Sequence, residues 1–130
     1  MKVFAPSHGS LRTYRNKLLT SIKVHKTLGP GLLESVYETC LAHELRRGGL
    51  AVETQVPVPI VYHGIRLEGG LKLDVLVQNQ LIVEIKAVEE MNRIFKARVL
   101  TYLKLTRLRL ALPINFNVHL LRDGIERIIL

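Results

Sequence analysis

The sequence predicts a mixed α+β (or α/β) domain in which helices flank a central mixed sheet. Three observations carry this. Helical periodicity fills three separate windows of the chain. Period-two alternation, the mark of half-buried strands, fills the stretches between and after them. Each change of period coincides with Gly, Pro or Asn punctuation. The expected order is α-α-β-β-β-β-α-β-β within one domain over 1–130.

Residues 1–9 read as a loose arm containing Pro6 and Gly9. A first helix is expected from Ser10 to Leu28, with Leu11, Leu18, Ile22 and Val24 as its apolar stripe and a basic remainder. Gly29-Pro30-Gly31 ends it, because proline cannot continue a helix and glycine permits the turn. A second helix, Leu32 to Arg47, ends at Gly48-Gly49, where a left-handed C-cap is easy. Its core stripe reads as Leu33, Val36 and Cys40; Glu34, Tyr37, Leu41 and Glu44 share another face. Ala51 to Val61 is strand-like, and Pro57 and Pro59 mark it as an edge. His63-Gly64 is a turn, followed by Ile65-Arg66-Leu67 and a break at Gly69-Gly70. A third helix is expected from Val88 to Leu105, with Met91, Ile94, Phe95, Val99, Tyr102 and Leu103 inward. Leu108 to Ile114 and Ile125 to Ile129 read as the last strands, with Asp123-Gly124 as the turn before the final one.

The stretch Leu71 to Lys86 reads as the central hairpin. Leu71, Leu73, Val75 and Val77 fall on one face of the first strand; Leu81, Val83 and Ile85 fall on one face of the second. Facing residues must lie on the same side of the sheet. A two-residue loop at Asn79-Gln80 would set Asp74 opposite Ile85 and mix the faces. A three-residue loop, Gln78-Asn79-Gln80, sets Val77 opposite Leu81 and keeps them apart. That register sets Asp74 opposite Glu84 and Lys72 opposite Lys86, on a face turned away from the core. Opposed side chains have Cβ atoms roughly 4.5–5.5 Å apart. Two carboxylates that close repel unless a proton or a cation lies between them. The pattern therefore predicts a cation site with Lys86 beside it. An ordinary solvated strand face carries Asp, Glu and Lys as well, and the register alone does not separate the two readings.

An apolar content of 48% excludes general disorder. No apolar run approaches the roughly 20 residues that span a bilayer, so no membrane role is expected. Cys40 is the only cysteine; no internal disulfide forms, a reducing cytoplasm fits, and a structural zinc site is disfavoured. The net charge of +8 favours a polyanionic partner such as nucleic acid.

Gly31-Leu32-Leu33-Glu34-Ser35-Val36-Tyr37 resembles the signature of the GxxExxY proteins. The likeness runs from near Ile22 through QVPVPIVYHGIRL and the hairpin, resumes at LTYLKLT, and closes with PINFNVHLLRDGI. These proteins are similar to the PD-(D/E)xK nucleases, whose fold is that of restriction endonucleases. The resemblance implies an active site of a helix-borne acid, Glu34, a strand acid, Asp74, and an E-x-K, Glu84-Ile85-Lys86. It implies Mg²⁺ or Mn²⁺ held by Asp74, Glu84 and the Ile85 carbonyl, with Glu34 on a metal water or a second ion. Lys86 would orient the attacking water, and Tyr37 and Tyr102 would position Lys86 or a phosphate oxygen. The implied function is a metal-dependent phosphodiesterase, on DNA before RNA. Relatives usually carry glutamine where this chain has Arg98, one turn before Tyr102. Phe95 stands where histidine is frequent, and Lys23 where an acid is common. Arg98 thus opens a second reading: an inactive nuclease fold that binds nucleic acid, with Arg98 paired to Asp74 or Glu84 in place of the metal. A third is an interaction protein, in which the proline-bearing and final strands offer edges for a homodimer.

Overall fold

In a computed structural model, which describes residues 11–130 and side chains from Tyr14 onward, helix α1 spans Leu11–Leu28. The expected arm at 1–9 and helix start at Ser10 lie outside the described residues. Gly29 takes φ +73, and its N–H donates to His25 O, closing the helix. Helix α2 spans Glu34–Arg47. Its buried face is Tyr37, Leu41, Ala42 and Leu45, not the expected stripe of Leu33, Val36 and Cys40. Leu33 precedes the helix as its N-cap and is 74% exposed. The rotation matters for the site, because it turns the face that begins with Glu34 toward the sheet.

Strands β1 (Val52–Tyr62) and β2 (Ile65–Val77) form a long antiparallel pair. His63 and Gly64 both have positive φ, so the two-residue turn matches the right-handed twist of the strands. The segments expected as separate strands at 65–67 and 71–77 are one continuous β2. Between Val58↔Leu71 and Ile60↔Leu67 the register shifts, and Pro59 faces the bulge that contains Gly69-Gly70. Proline has no N–H for the ladder, so the bulge falls where pairing was already broken. Gly70 lies directly under the Ile60 side chain, leaving no room for a Cβ.

Strand β3 (Leu81–Lys86) pairs antiparallel with β2, with Val77↔Leu81 as expected. Helix α3 (Arg93–Thr106) crosses over to β4 (Leu110–Asn115), which lies parallel to β3. The expected helix start at Val88 is wrong by five residues. Asn92 caps α3 by accepting from Ile94 N–H, so Met91 lies outside the helix and Ile94 points to solvent. A short 3₁₀ turn, η1 (Leu121–Asp123), leads to β5 (Ile128–Ile129), which is shorter than expected. The sheet order is β1-β2-β3-β4-β5, so β1 and β5 are its edges.

Two apolar clusters sandwich the sheet. Tyr37, Leu41 and Leu45 pack with Val75, Val77, Val83, Ile85 and Phe116 under α1 and α2. Phe95, Val99, Tyr102 and Leu103 of α3 pack with Leu73, Leu76 and Ile82 on the other face. Leu73 therefore lies on the opposite face from Val75 and Val77, contrary to simple alternation. In β1, Val52 likewise packs with the first cluster and Val56 and Val58 with the second. The switch coincides with Gln55, whose φ of +51 interrupts the pleat opposite Asp74.

Gly124 sits against the Asn115 backbone, and a Cβ there would collide with the Asn115 carbonyl oxygen. Gly124→Ala is expected to cost about 2 kcal/mol, read as a lower urea-unfolding midpoint.

Candidate active site

Strands β2 and β3 pair through Val75↔Val83 and then part. Beyond that point Lys72 pairs with Pro57 of β1 and Lys86 with Asn115 of β4. The β2–β3 ladder does not reach Lys72 and Lys86, so their expected facing is absent. Asp74 and Glu84 stand where the ladder would have continued, and their side chains replace its hydrogen bonds. Glu84 Oε1 accepts from Asp74 N–H at 3.0 Å, and Asp74 Oδ2 accepts from Ile85 N–H at 2.9 Å. Each carboxyl group thus caps a backbone donor freed by the divergence.

The face carrying Glu84 is not solvated as expected. Glu84 is only 4% exposed, because Ile82 on the same face lies under α3. Burial pushes its carboxyl from the ordinary 4.5 up to about 9, and the charge of Asp74 pushes the same way. The Asp74 N–H and the nearby Lys86 oppose the rise without cancelling it. At neutral pH and with no cation present, Glu84 holds a proton facing Asp74.

On the α3 side, Lys86 Nζ lies 5.0 Å from the centroid of the Phe95 ring, a cation–π contact. Tyr102 is nearly buried, and its hydroxyl pKa is raised by burial first and by Glu84 second. Arg98, one turn earlier, pulls the other way through its positive charge. Arg98 is exposed, and among the described residues no ion pair joins it to Asp74 or Glu84.

On the α2 side, Glu34 Oε2 accepts from Ala87 N–H at 3.2 Å, tying the helix start to the end of β3. A cleft of about 280 Å³ opens there, lined by Glu34, Ser35, Glu38, Gln55, Asp74 and Ile85. Glu38 and Gln55 were not expected at the site. Gln55 Nε2 donates to Glu38 Oε1 at 2.6 Å. Burial raises the Glu38 carboxyl, the Gln55 bond opposes this, and Asp74 adds to it. Glu38 lies one turn after Glu34, a spacing that signals a shared face. Nothing in the sequence marks the left-handed Gln55.

Tyr37 does not join this group. It is fully buried and stacks on Phe116 with centroids 4.5 Å apart. Its hydroxyl donates to Gly29 O at 2.6 Å and accepts from Leu32 N–H at 3.1 Å. Its role is to hold the turn that presents Glu34. Asn115 does comparable work across from Lys86, clamping Val88 through both its backbone N–H and its carbonyl.

A family model described as the PD-(D/E)XK nuclease superfamily matches residues 14–128. The chain belongs to that superfamily. No curated protein and no solved structure matches it. The mixed sheet with helices on both faces is the fold expected of a PD-(D/E)XK member. Such nucleases generally use divalent metals, and the donor chemistry here suits one. Asp74 and Glu84 offer only hard oxygen atoms, and burial and the charge of Asp74 both raise the Glu84 carboxyl, a cost that a cation would offset. Among the described residues, however, no three His, Cys, Asp or Glu side chains converge as a ready cage. A cation held here would keep much of its water.

Linkage then gives a pH dependence. Unfolded, Glu84 titrates near 4.5; folded and metal-free, near 9. Between these values the folded state holds the extra proton, so stability falls as pH rises. The slope from this group reaches about 1.4 kcal/mol per pH unit. Its contribution is complete below pH 4.5 and lost as pH passes about 9. In a chelator, the urea midpoint is expected to drop from pH 5 to pH 9, and Glu84→Gln to flatten that drop.

Proposed function

We propose that this PD-(D/E)XK chain is a metal-dependent nuclease that hydrolyses phosphodiester bonds, with DNA preferred to RNA. The carrying observation is the opposed Asp74–Glu84 pair at the parting of β2 and β3, with Lys86 two residues on. The Gly31–Tyr37 signature supports the finer likeness to the GxxExxY proteins, and the single cysteine suits a reducing cytoplasm.

In this reading Asp74, Glu84 and the Ile85 carbonyl would hold Mg²⁺ or Mn²⁺, and Glu34 a metal-bound water. When bound, the cation acidifies a water and offsets phosphate charge. Glu84 would hold the cation as a carboxylate, its proton passing to solvent. Lys86, steadied over Phe95, orients the attacking water and neutralises charge as it develops on the phosphate. Arg98 and Tyr102 bind a phosphate oxygen on the α3 side. The exposed Arg93, Lys96 and Lys104 of α3 track the neighbouring backbone phosphates.

The inactive-module reading asked Arg98 to replace the metal as an internal cation. Arg98 is instead exposed, and among the described residues no ion pair joins it to either acid, which favours the metal-dependent reading.

Divalent-dependent cleavage is expected on single- or double-stranded DNA, with slower cleavage of RNA. Lys86→Ala is expected to lower the rate by about 100-fold or more with an unchanged circular dichroism spectrum. Equal rates for wild type and variant would refute the assignment.

A further inference from the structure

A second cleft, of about 380 Å³, lies at the start of α3. Met91, Phe95 and Pro113 give it apolar walls, and Arg93, Lys96 and Glu126 bring charge of both signs. It adjoins the acid pair on the far side of β3 from Asp74. Pro113 of β4 is in register with Glu84 of β3, and neighbouring strands lie roughly 4.8 Å apart. Phe95, which lines the cleft, also carries Lys86 at 5.0 Å. An occupant of the cleft is therefore next to any phosphate that Lys86 holds.

The lining describes that occupant. Arg93 and Lys96 share the cleft with Glu126, yet among the described residues no ion pair joins them. The cations suit an anion, and the carboxylate suits hydrogen-bond donors. The apolar walls suit a flat, weakly polar body between the two. One nucleotide has all three parts: a phosphate, a base with two apolar faces, and a polar base edge. The volume is at the small end of the roughly 300–1,000 Å³ of ligand clefts, which admits a nucleotide and not a duplex. A base inside a duplex has its faces stacked and its edge paired, so only an unpaired base can enter.

The acceptor selects the base. An ionised carboxylate only accepts hydrogen bonds, and it does so through two oxygens. Guanine alone among the DNA bases sets two donors, N1–H and N2–H, side by side on its pairing edge. Adenine and cytosine offer one donor beside an acceptor, and the N3–H of thymine lies between two carbonyls. Glu126 is held in place by its backbone, since its N–H donates to Pro113 O at 3.0 Å. That bond leaves its carboxylate out of the frame of the fold.

We propose that the cleft at the start of α3 binds one unpaired guanine nucleotide beside the phosphate to be cut. The base lies against Met91, Phe95 and Pro113, its pairing edge meets Glu126, and its phosphate meets Arg93 and Lys96. This rests on the nuclease reading above and narrows its substrate to strands with an unpaired guanine.

The test uses seven-nucleotide thymidine strands with guanosine, inosine or thymidine at the centre. Binding to the full chain is followed by fluorescence anisotropy in a chelator, so that nothing is cut. The guanosine strand is expected to bind about 10-fold more tightly than the thymidine strand. Inosine, which keeps N1–H and lacks the N2 amino group, is expected to fall between them. In Mg²⁺ the cut is expected at a phosphate flanking the guanosine. Glu126→Gln is expected to reduce the guanosine-to-thymidine ratio to less than about twofold. A folding defect would weaken all three strands alike and leave that ratio in place. Equal binding of the three strands by the wild type, or cutting without regard to the guanosine, refutes the subsite and leaves the nuclease reading standing. A preference that survives Glu126→Gln refutes the role of Glu126. A wild type that binds no strand and cuts none in Mg²⁺ overturns the nuclease reading and this inference with it.

Discussion

Asp74 and Glu84 cross-brace the point where two strands separate, and the site follows from that brace. An antiparallel ladder cannot simply stop inside a buried sheet, because each lost pair leaves a donor without a partner. Here the two acids supply the acceptors, one for Asp74 N–H and one for Ile85 N–H. On their other edges β2 stays paired with β1, and β3 runs beside β4 as far as Lys86↔Asn115. The divergence also leaves Asp74 lining an open cleft with Glu34, Glu38 and Gln55.

The same brace creates an electrostatic problem that the protein alone does not solve. A buried carboxyl group, Glu84, faces a half-buried one, Asp74. Lys86 is close enough to lower the Glu84 pKa, yet burial still dominates. Structural charge pairs are ordinarily neutralised within the chain, as Glu44 is by Lys23 and Arg47 at the surface. Burying an acid beside a second carboxylate costs stability, and perturbed groups of this kind cluster at functional sites.

How much of this could be read from the sequence depended on the range of the signal. The three-residue loop and the Val77↔Leu81 register were legible, because only that register keeps the two apolar sets together. The opposed acids followed from it. Their burial did not, since the even positions of β3 look solvated until α3 is seen to cover Ile82. The α2 stripe was misread because Leu33-Val36-Cys40 and Tyr37-Leu41 are both acceptable apolar spacings; packing of Tyr37 on Phe116, far along the chain, decides between them. Lys72 was set opposite Lys86 by extending a ladder past its natural end. Nothing local announces that end, because the alternating pattern runs on past Val75↔Val83 in both strands. Gln55 was illegible for a similar reason: its left-handed turn answers to Asp74 and Glu38, not to its neighbours in sequence.

Two residues that hold the frame show how little of the site's precision comes from the site itself. Tyr37 satisfies both Gly29 O and Leu32 N–H, so the Gly-rich turn before α2 has a fixed exit direction. That direction aims Glu34 at Ala87, one residue past Lys86. Asn115 then holds Val88 by two hydrogen bonds from the neighbouring strand. The chain just past β3 is therefore fastened by α2 at Ala87 and by β4 at Val88, immediately after Lys86. A lysine on a free strand end would sample many positions, because its four-carbon stem is flexible. Held this way and laid over Phe95, its ammonium has few alternatives. The core tyrosine and the buried asparagine thus do for Lys86 what the strand brace does for the acids: each gives a backbone group its partner and, in doing so, leaves a charged side chain one place to be.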